Sequence, residues 1–156
     1  MTFAAEKLDT DGRPEICAAL NTALAETAVS TMMAQNFHWN VTGMNFAPLH
    51  QMFQGIYEDH FAGQDDLAER IKALDGHADG NLARMLERSS IVEPQVDMTS
   101  TDLIATLLNA EEILAATLKA TGEIAANYGD TITEDLCIAR GQVHEKFAWM
   151  LRVHLR

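Results

Sequence analysis

Two histidines, two acidic residues and one amide stand out in the first half of the chain: His38, His50, Asp65, Glu69 and Gln54. Imidazole nitrogens combined with carboxylate oxygens suit Fe(II), and such a set leaves positions open for oxygen or peroxide. Zn(II) fits the same donors and would compete for them. At 100° per residue, His50, Gln54, Asp65 and Glu69 all fall within an arc of about 100° on one helix face. His50 and Asp65 nevertheless stand about 22 Å apart along the axis of such a helix. One helix cannot wrap both around one ion. Two antiparallel copies can, because the pairs His50/Glu69 and Gln54/Asp65 share one midpoint, between Asp59 and His60. A two-fold axis there sets the histidine end of one copy against the carboxylate end of the other, twice over. Tyr57 and Phe61 lie on the same face near that axis and read as contact residues, and His38 can fold back beside His50. Taken singly these residues have plainer readings. A lone helical histidine is usually a surface or satisfied core residue, and Asp65 with Glu69 continues into Arg70 and Lys72 as a solvated stripe. Only the joint pattern points to a metal site shared by a dimer.

The elements that must position these residues are helical. After an arm over residues 1–13, Pro14 sits where a first turn tolerates it. Ile16, Leu20, Ala23, Thr27, Ser30, Ala34, Phe37 and Val41 then recur at three and four. Thr42-Gly43-Met44-Asn45 breaks this first helix, and Asn45 can cap a second, running from about Phe46 to Leu74 with Leu49, Phe53, Ile56, His60, Leu67 and Ile71 inward. Residues 77–98 form a long connection with a short helix around Leu82, Met85 and Leu86. Thr99 and Asp102 form a capping-box pattern ahead of a third long helix on Leu103, Leu107, Ala110, Leu114, Thr117, Thr121 and Ile124. Thr131 with Glu134 gives a similar signal for a fourth, with Leu136, Ala139, Val143, Phe147 and Met150 as its stripe. Short first and last turns with a long middle crossover describe an all-α, ferritin-like four-helix bundle in a single domain, 1–156. Such bundles often hold iron through Glu-x-x-His pairs; none occurs in this sequence, which reads against the usual site inside one subunit.

Composition narrows the function. The 156 residues carry 11 Lys and Arg against 23 Asp and Glu, for a formal charge of −12. Nucleic-acid phosphates are bound by concentrated positive charge, so DNA binding is expected to be weak or absent. The acid surplus suits cations, and it also simply keeps a protein soluble. With no run of about 18 uninterrupted apolar residues, no membrane span is expected. The N-terminus lacks a signal-peptide pattern, and Cys17 and Cys137 read as buried thiols in a reducing cytoplasm.

The stretches Asn36-Phe-His-Trp-Asn-Val-Thr-Gly-Met-Asn-Phe46, Leu49-His50 and Asp65-Asp-Leu-Ala-Glu-Arg70 resemble the Dps family (DNA-binding proteins from starved cells), the mini-ferritins. The likeness returns in Asp130-Thr-Ile-Thr-Glu-Asp-Leu136 and Lys146-Phe-Ala-Trp149. The resemblance implies a cytoplasmic, at times nucleoid-associated, dodecamer built from two-fold dimers. Such a shell oxidises Fe(II) with hydrogen peroxide or oxygen, stores ferric mineral and protects against oxidative stress. It implies His38 and His50 as ligands and catalytic residues from one subunit with Asp65 and Glu69 from its mate, Trp39 packed near them, and Asp130, Asp135 and Glu134 at an acidic pore. Where the family has Asp or Glu, this chain has Gln54, a poorer ligand for a hard cation. The alternative is a non-catalytic shell or nucleoid-compacting protein with a weakened metal site.

Overall fold

The computed structural model describes residues 12–94 and 97–156, and all its regular structure is helical. Residues 1–11, most of the expected arm, lie outside the described part. Helix α1 is Arg13–Asn40, α2 Phe46–Ala73, α3 Leu82–Arg88, α4 Ser100–Asn127 and α5 Thr131–Val153. The four long helices, the long connection and its short helix stand where the periodicity places them. Gly43, at φ +97°, turns the chain between α1 and α2 in a conformation that costs glycine nothing. Thr99 caps α4 in a complete capping box with Asp102. Asn45 occupies the N-cap of α2 without a side-chain hydrogen bond.

Three long-range contacts fix the topology. Gly76, after α2, packs against Cys17 near the start of α1. Ser100, opening α4, donates to the carbonyl of Thr42 at the far end of α1. Tyr128, closing α4, returns to Glu15. The chain therefore runs up α1, down α2, up the connection, down α4 and up α5. The connection is pinned to α1 on its way. Asn21 donates to the carbonyl of His77 and accepts from the Asp79 amide, and Ser90 donates to Glu26 at 2.6 Å. α1 is long and apolar enough to cross a membrane by length and composition, yet 67% of its 18-residue apolar window is buried inside the bundle.

The core has two apolar clusters. One gathers Met33, Phe37, Leu49, Phe53, Ile56, Leu107, Leu114 and Leu151; the other gathers Ile16, Leu20, Leu67, Ile71, Leu118 and Cys137. Along α2 they are separated by His60 and Gly63, and along α5 by Arg140 and His144, all buried. The inward stripe of α5 is not the expected one. Leu136, Val143, Phe147 and Met150 are only half-buried and Ala139 is exposed, whereas Thr133, Cys137, Arg140, His144, Ala148 and Leu151 face inward. Periodicity counted by apolar type missed a face that carries an arginine and a histidine.

The cap of α5 also differs from expectation. Asp130, not Thr131, is the N-cap, accepting from the amide and hydroxyl of Thr133. It is fully buried and pairs with Arg70 of α2 at 2.8 Å. Burial opposes ionisation of Asp130, but the Thr133 and Arg70 hydrogen bonds outweigh it and hold the carboxyl below its ordinary range. Asp130→Ala removes a cap and strands a mostly buried guanidinium, so it should cost about 2–4 kcal/mol in urea unfolding. The Asp130 contribution is complete above the usual Asp range near pH 4 and fades as pH falls through the depressed value. The stability gap between parent and variant should accordingly shrink in acid; a gap constant down to the acid transition would contradict the pairing.

Candidate metal centre

His38 ends α1 and His50 opens the first turns of α2, so the short turn between the helices brings them together. Their rings stack with centroids 3.7 Å apart and planes 16° from parallel. Each ring is tied to the other residue's backbone: His38 Nδ1 lies 2.7 Å from the His50 carbonyl oxygen, and His50 Nδ1 lies 2.7 Å from the His38 carbonyl oxygen. A carbonyl can only accept, so both Nδ1 atoms carry the proton. Both Nε2 lone pairs are left for a metal, with the remaining ring nitrogen anchored as ligating histidines require. Tyr57 meets His38 edge-on at 5.4 Å, and Phe46 stacks on His50 at 4.9 Å. This reciprocal lock holds a two-imidazole half-site.

The other half is not within reach. α2 is unbroken from Phe46 to Ala73, so Asp65 and Glu69 stand about 22 Å or more from His50 along its axis. Both are exposed, and among the described residues neither is held by a hydrogen bond or ion pair. Gln54 is half-buried and donates its amide to Glu58 Oε1 at 2.8 Å, which leaves its carbonyl oxygen uncommitted. Phe61 is 73% exposed on this face, and around the α1–α2 turn Trp39 is 59% and Met44 fully exposed. Trp39 is therefore largely exposed in the single chain and not part of its core. Of the residues assigned to a pore, Asp130 is occupied internally as described, Asp135 is exposed and Glu134 half-buried.

A second cluster went unread in the sequence. His60 of α2, Glu111 of α4 and His144 of α5 are all 0% exposed and offer ligand atoms within 4.8 Å of one another. His144 Nδ1 donates to Glu111 Oε2 at 2.7 Å. His60 Nε2 approaches Glu111 Oε1 at 3.0 Å, but without hydrogen-bond alignment. Burial dominates the electrostatics, pushing His60 down to about 3, lowering His144 and raising Glu111, so the two rings are neutral. Arg140 covers the cluster, 3.3 Å from His144 Nε2 and 2.7 Å from Asp59. Gly63 makes room for it, since a Cβ there would stand 2.7 Å from the guanidinium carbon. The signal that could have found it is the pair Arg140 and His144 at helical i, i+4 spacing on one side of α5.

The model for a ferritin-like domain matches residues 17–156. The chain is 34% identical to DNA protection during starvation protein 2 of Bacillus anthracis, over 90% of this chain and 97% of that one. It is 31% identical to general stress protein 20U of Bacillus subtilis over the same shares. Among solved structures, Dps from Vibrio cholerae, described as a member of a superfamily of ferritin-like diiron-carboxylate proteins, superposes with a TM-score of 0.92 at 30% identity, covering 100% of this chain and 98% of that one. Dps from Thermosynechococcus elongatus gives 0.91 at 27%, with 94% of each chain covered.

The reciprocal lock makes a spectroscopic prediction. Solid-state ¹⁵N spectra of histidine-labelled, metal-free protein at pH 8 should show His38 and His50 as Nδ1–H tautomers. A protonated Nε2 on either neutral ring would rule the lock out.

Proposed function

We propose that this chain, which belongs to the ferritin-like family and to its Dps branch, oxidises Fe(II) at sites completed between two-fold-related subunits and stores the ferric product in a hollow dodecameric shell. The observation that carries this reading is the stacked His38–His50 pair, whose Nδ1 protons are committed to backbone carbonyls and whose Nε2 atoms remain for a metal. The carboxylates that would complete the site are Asp65 and Glu69 of the second copy, uncommitted on the exposed face of α2. Exposed Phe61, close to the proposed axis, gives two copies an apolar contact there.

Fe(II) is the substrate. Two Fe(II) each give one electron to hydrogen peroxide, the O–O bond breaks, two protons are taken up, and two waters form beside two Fe(III). The protein's part is to hold the ions beside each other and the oxidant, with imidazole on one side and carboxylate on the other. That paired consumption spares the cell the radical that a single electron transfer to peroxide releases. Gln54 makes the site uneven. The ion nearer His38, His50 and the partner's Glu69 is held firmly, and the one on the Asp65 side is held by fewer anionic oxygens.

A DNA-binding, nucleoid-compacting shell is the second reading; relatives carry the name DNA protection during starvation protein. The charge distribution opposes it. Of the 11 basic residues, Arg13, Arg70, Arg84, Arg88, Arg140 and Arg152 are each engaged by a carboxylate. Too little free positive charge remains to displace counterions from a duplex.

Complementation tests the shared site. Chains with His38→Ala/His50→Ala are co-assembled with chains carrying Asp65→Ala/Glu69→Ala, each inactive alone. Every mixed dimer regains one intact site of its two, so peroxide-driven iron oxidation should return to about half the parent rate per mixed dimer. No recovery in verified mixed shells would sink the inter-subunit site. Gln54→Glu should raise the number of Fe(II) bound per site in anaerobic titration; unchanged stoichiometry and rate would remove position 54 from the ligand set.

A further inference from the structure

The geometry points to a second metal site, mononuclear and wholly inside one subunit, in which His60, Glu111 and His144 bind one borderline divalent cation such as Fe(II), Zn(II) or Co(II). Two imidazoles with one carboxylate are a donor set for these ions. The three residues come from three different helices and converge between the two apolar clusters. Their ligand atoms all lie within 4.8 Å of one another, and small side-chain rotations would draw them in to the edge of about 3.3 Å that bonds of 2.0–2.1 Å produce around a tetrahedral ion.

The independent observation is a set of unpaired atoms. Nearly every buried polar group in a folded protein has a hydrogen-bond partner. Here both ring nitrogens of His60 and Oε1 of Glu111 lack one among the described residues, with both side chains at 0% exposure. His60 Nε2 and Glu111 Oε1 nonetheless face each other at 3.0 Å. Two donors placed side by side without hydrogen-bond alignment are arranged as ligands to a common ion, not as partners to each other. A polar trio kept only to specify the bundle would be expected to satisfy its own atoms.

Charge and protons balance. Arg140 is neutralised by Asp59 at 2.7 Å, which leaves the Glu111 carboxylate as the anion without a cation of its own. On loading, the metal takes Nδ1 of His144, and the proton now on that nitrogen moves to Nε2. Arg140 then yields its 3.3 Å contact with Nε2 and keeps the shorter one to Asp59. If Glu111 carries a proton beforehand, that proton leaves to solvent as the ion enters. None of these residues belongs to the inter-subunit set, so this site stands or falls separately from it.

The test uses shells with His38→Ala/His50→Ala, which removes the interface imidazoles, produced in cobalt-supplemented medium so that Co(II) is present as the bundle folds. After gel filtration against a weak chelator, one Co(II) per chain should remain, with visible d–d absorption and two imidazoles in its X-ray absorption spectrum. Adding Glu111→Gln or His144→Gln should abolish both signals. No retained cobalt in the His38→Ala/His50→Ala shell overturns the site, and this arm needs no core substitution. Cobalt retained undiminished after Glu111→Gln and His144→Gln overturns it equally.

Discussion

A straight helix cannot bring its two ends to one ion, and the chemistry of this molecule is organised around that rigidity. α2 is unbroken over 28 residues, so the histidine at its start and the carboxylates near its end belong to different places. What one subunit builds is a pair of imidazoles, half of the proposed site: His38 carried back by the turn after α1, His50 on the first turns of α2, and two reciprocal hydrogen bonds that fix both rings. The lock is local, since it needs only the turn at Gly43 and the packing of α1 along α2. Completion as proposed would need symmetry, because an antiparallel second copy of the same helix would have carboxylates at the matching height.

The same bundle tolerates a polar layer through the middle of its core. Burying a carboxylate costs several kcal/mol unless neighbours offset it, and removing one partner of such a group costs about 3–5 kcal/mol. Glu111 is kept by His144 on one oxygen, and Arg140 by Asp59. Gly63 shows how closely the helices were fitted around this layer, for any side chain there would displace the guanidinium. A core built only for stability would fill these positions with leucine. The layer separates the two apolar clusters and leaves a ligand set at their junction.

How much of this the sequence disclosed depends on which residues announce themselves. Helix ends were legible where local chemistry sets them: Pro14 at the start of α1, Gly43 between α1 and α2, the Thr99–Asp102 box before α4. The inward faces of α1 and α2 were legible because they are apolar, and His60 was read onto its stripe as a core residue. α5 misled because Arg140 and His144 are surface residues by type and buried by partnership, a fact visible only once Asp59 and Glu111 are placed opposite them from distant parts of the chain. The burial of Asp130 had no local signal, because the Arg70 that pairs with it comes from another helix. The His38–His50 stack was foreseen as proximity; the backbone carbonyls that fix the tautomers carry no sequence signal.

Exposure separates the roles that the two metal-ligand sets can play. The proposed inter-subunit site lies at the surface of the single chain, on the α1–α2 turn where Trp39 and Met44 are exposed, so it would form at a seam between copies and not inside a bundle. Its affinity is tied to assembly, because each chain supplies only part of the ligands. The His60–Glu111–His144 set is enclosed by three helices and covered by Arg140, so an ion there exchanges only when the bundle opens. Slow exchange is poor for a substrate and suited to a resident ion. Such an ion binds the folded chain and not the unfolded one, and therefore stabilises the bundle by an amount that grows with RT ln(1 + [L]/Kd). Fold stability would then follow metal supply through the core, while the proposed iron oxidation would follow it through the interface, with α2 the one helix common to both.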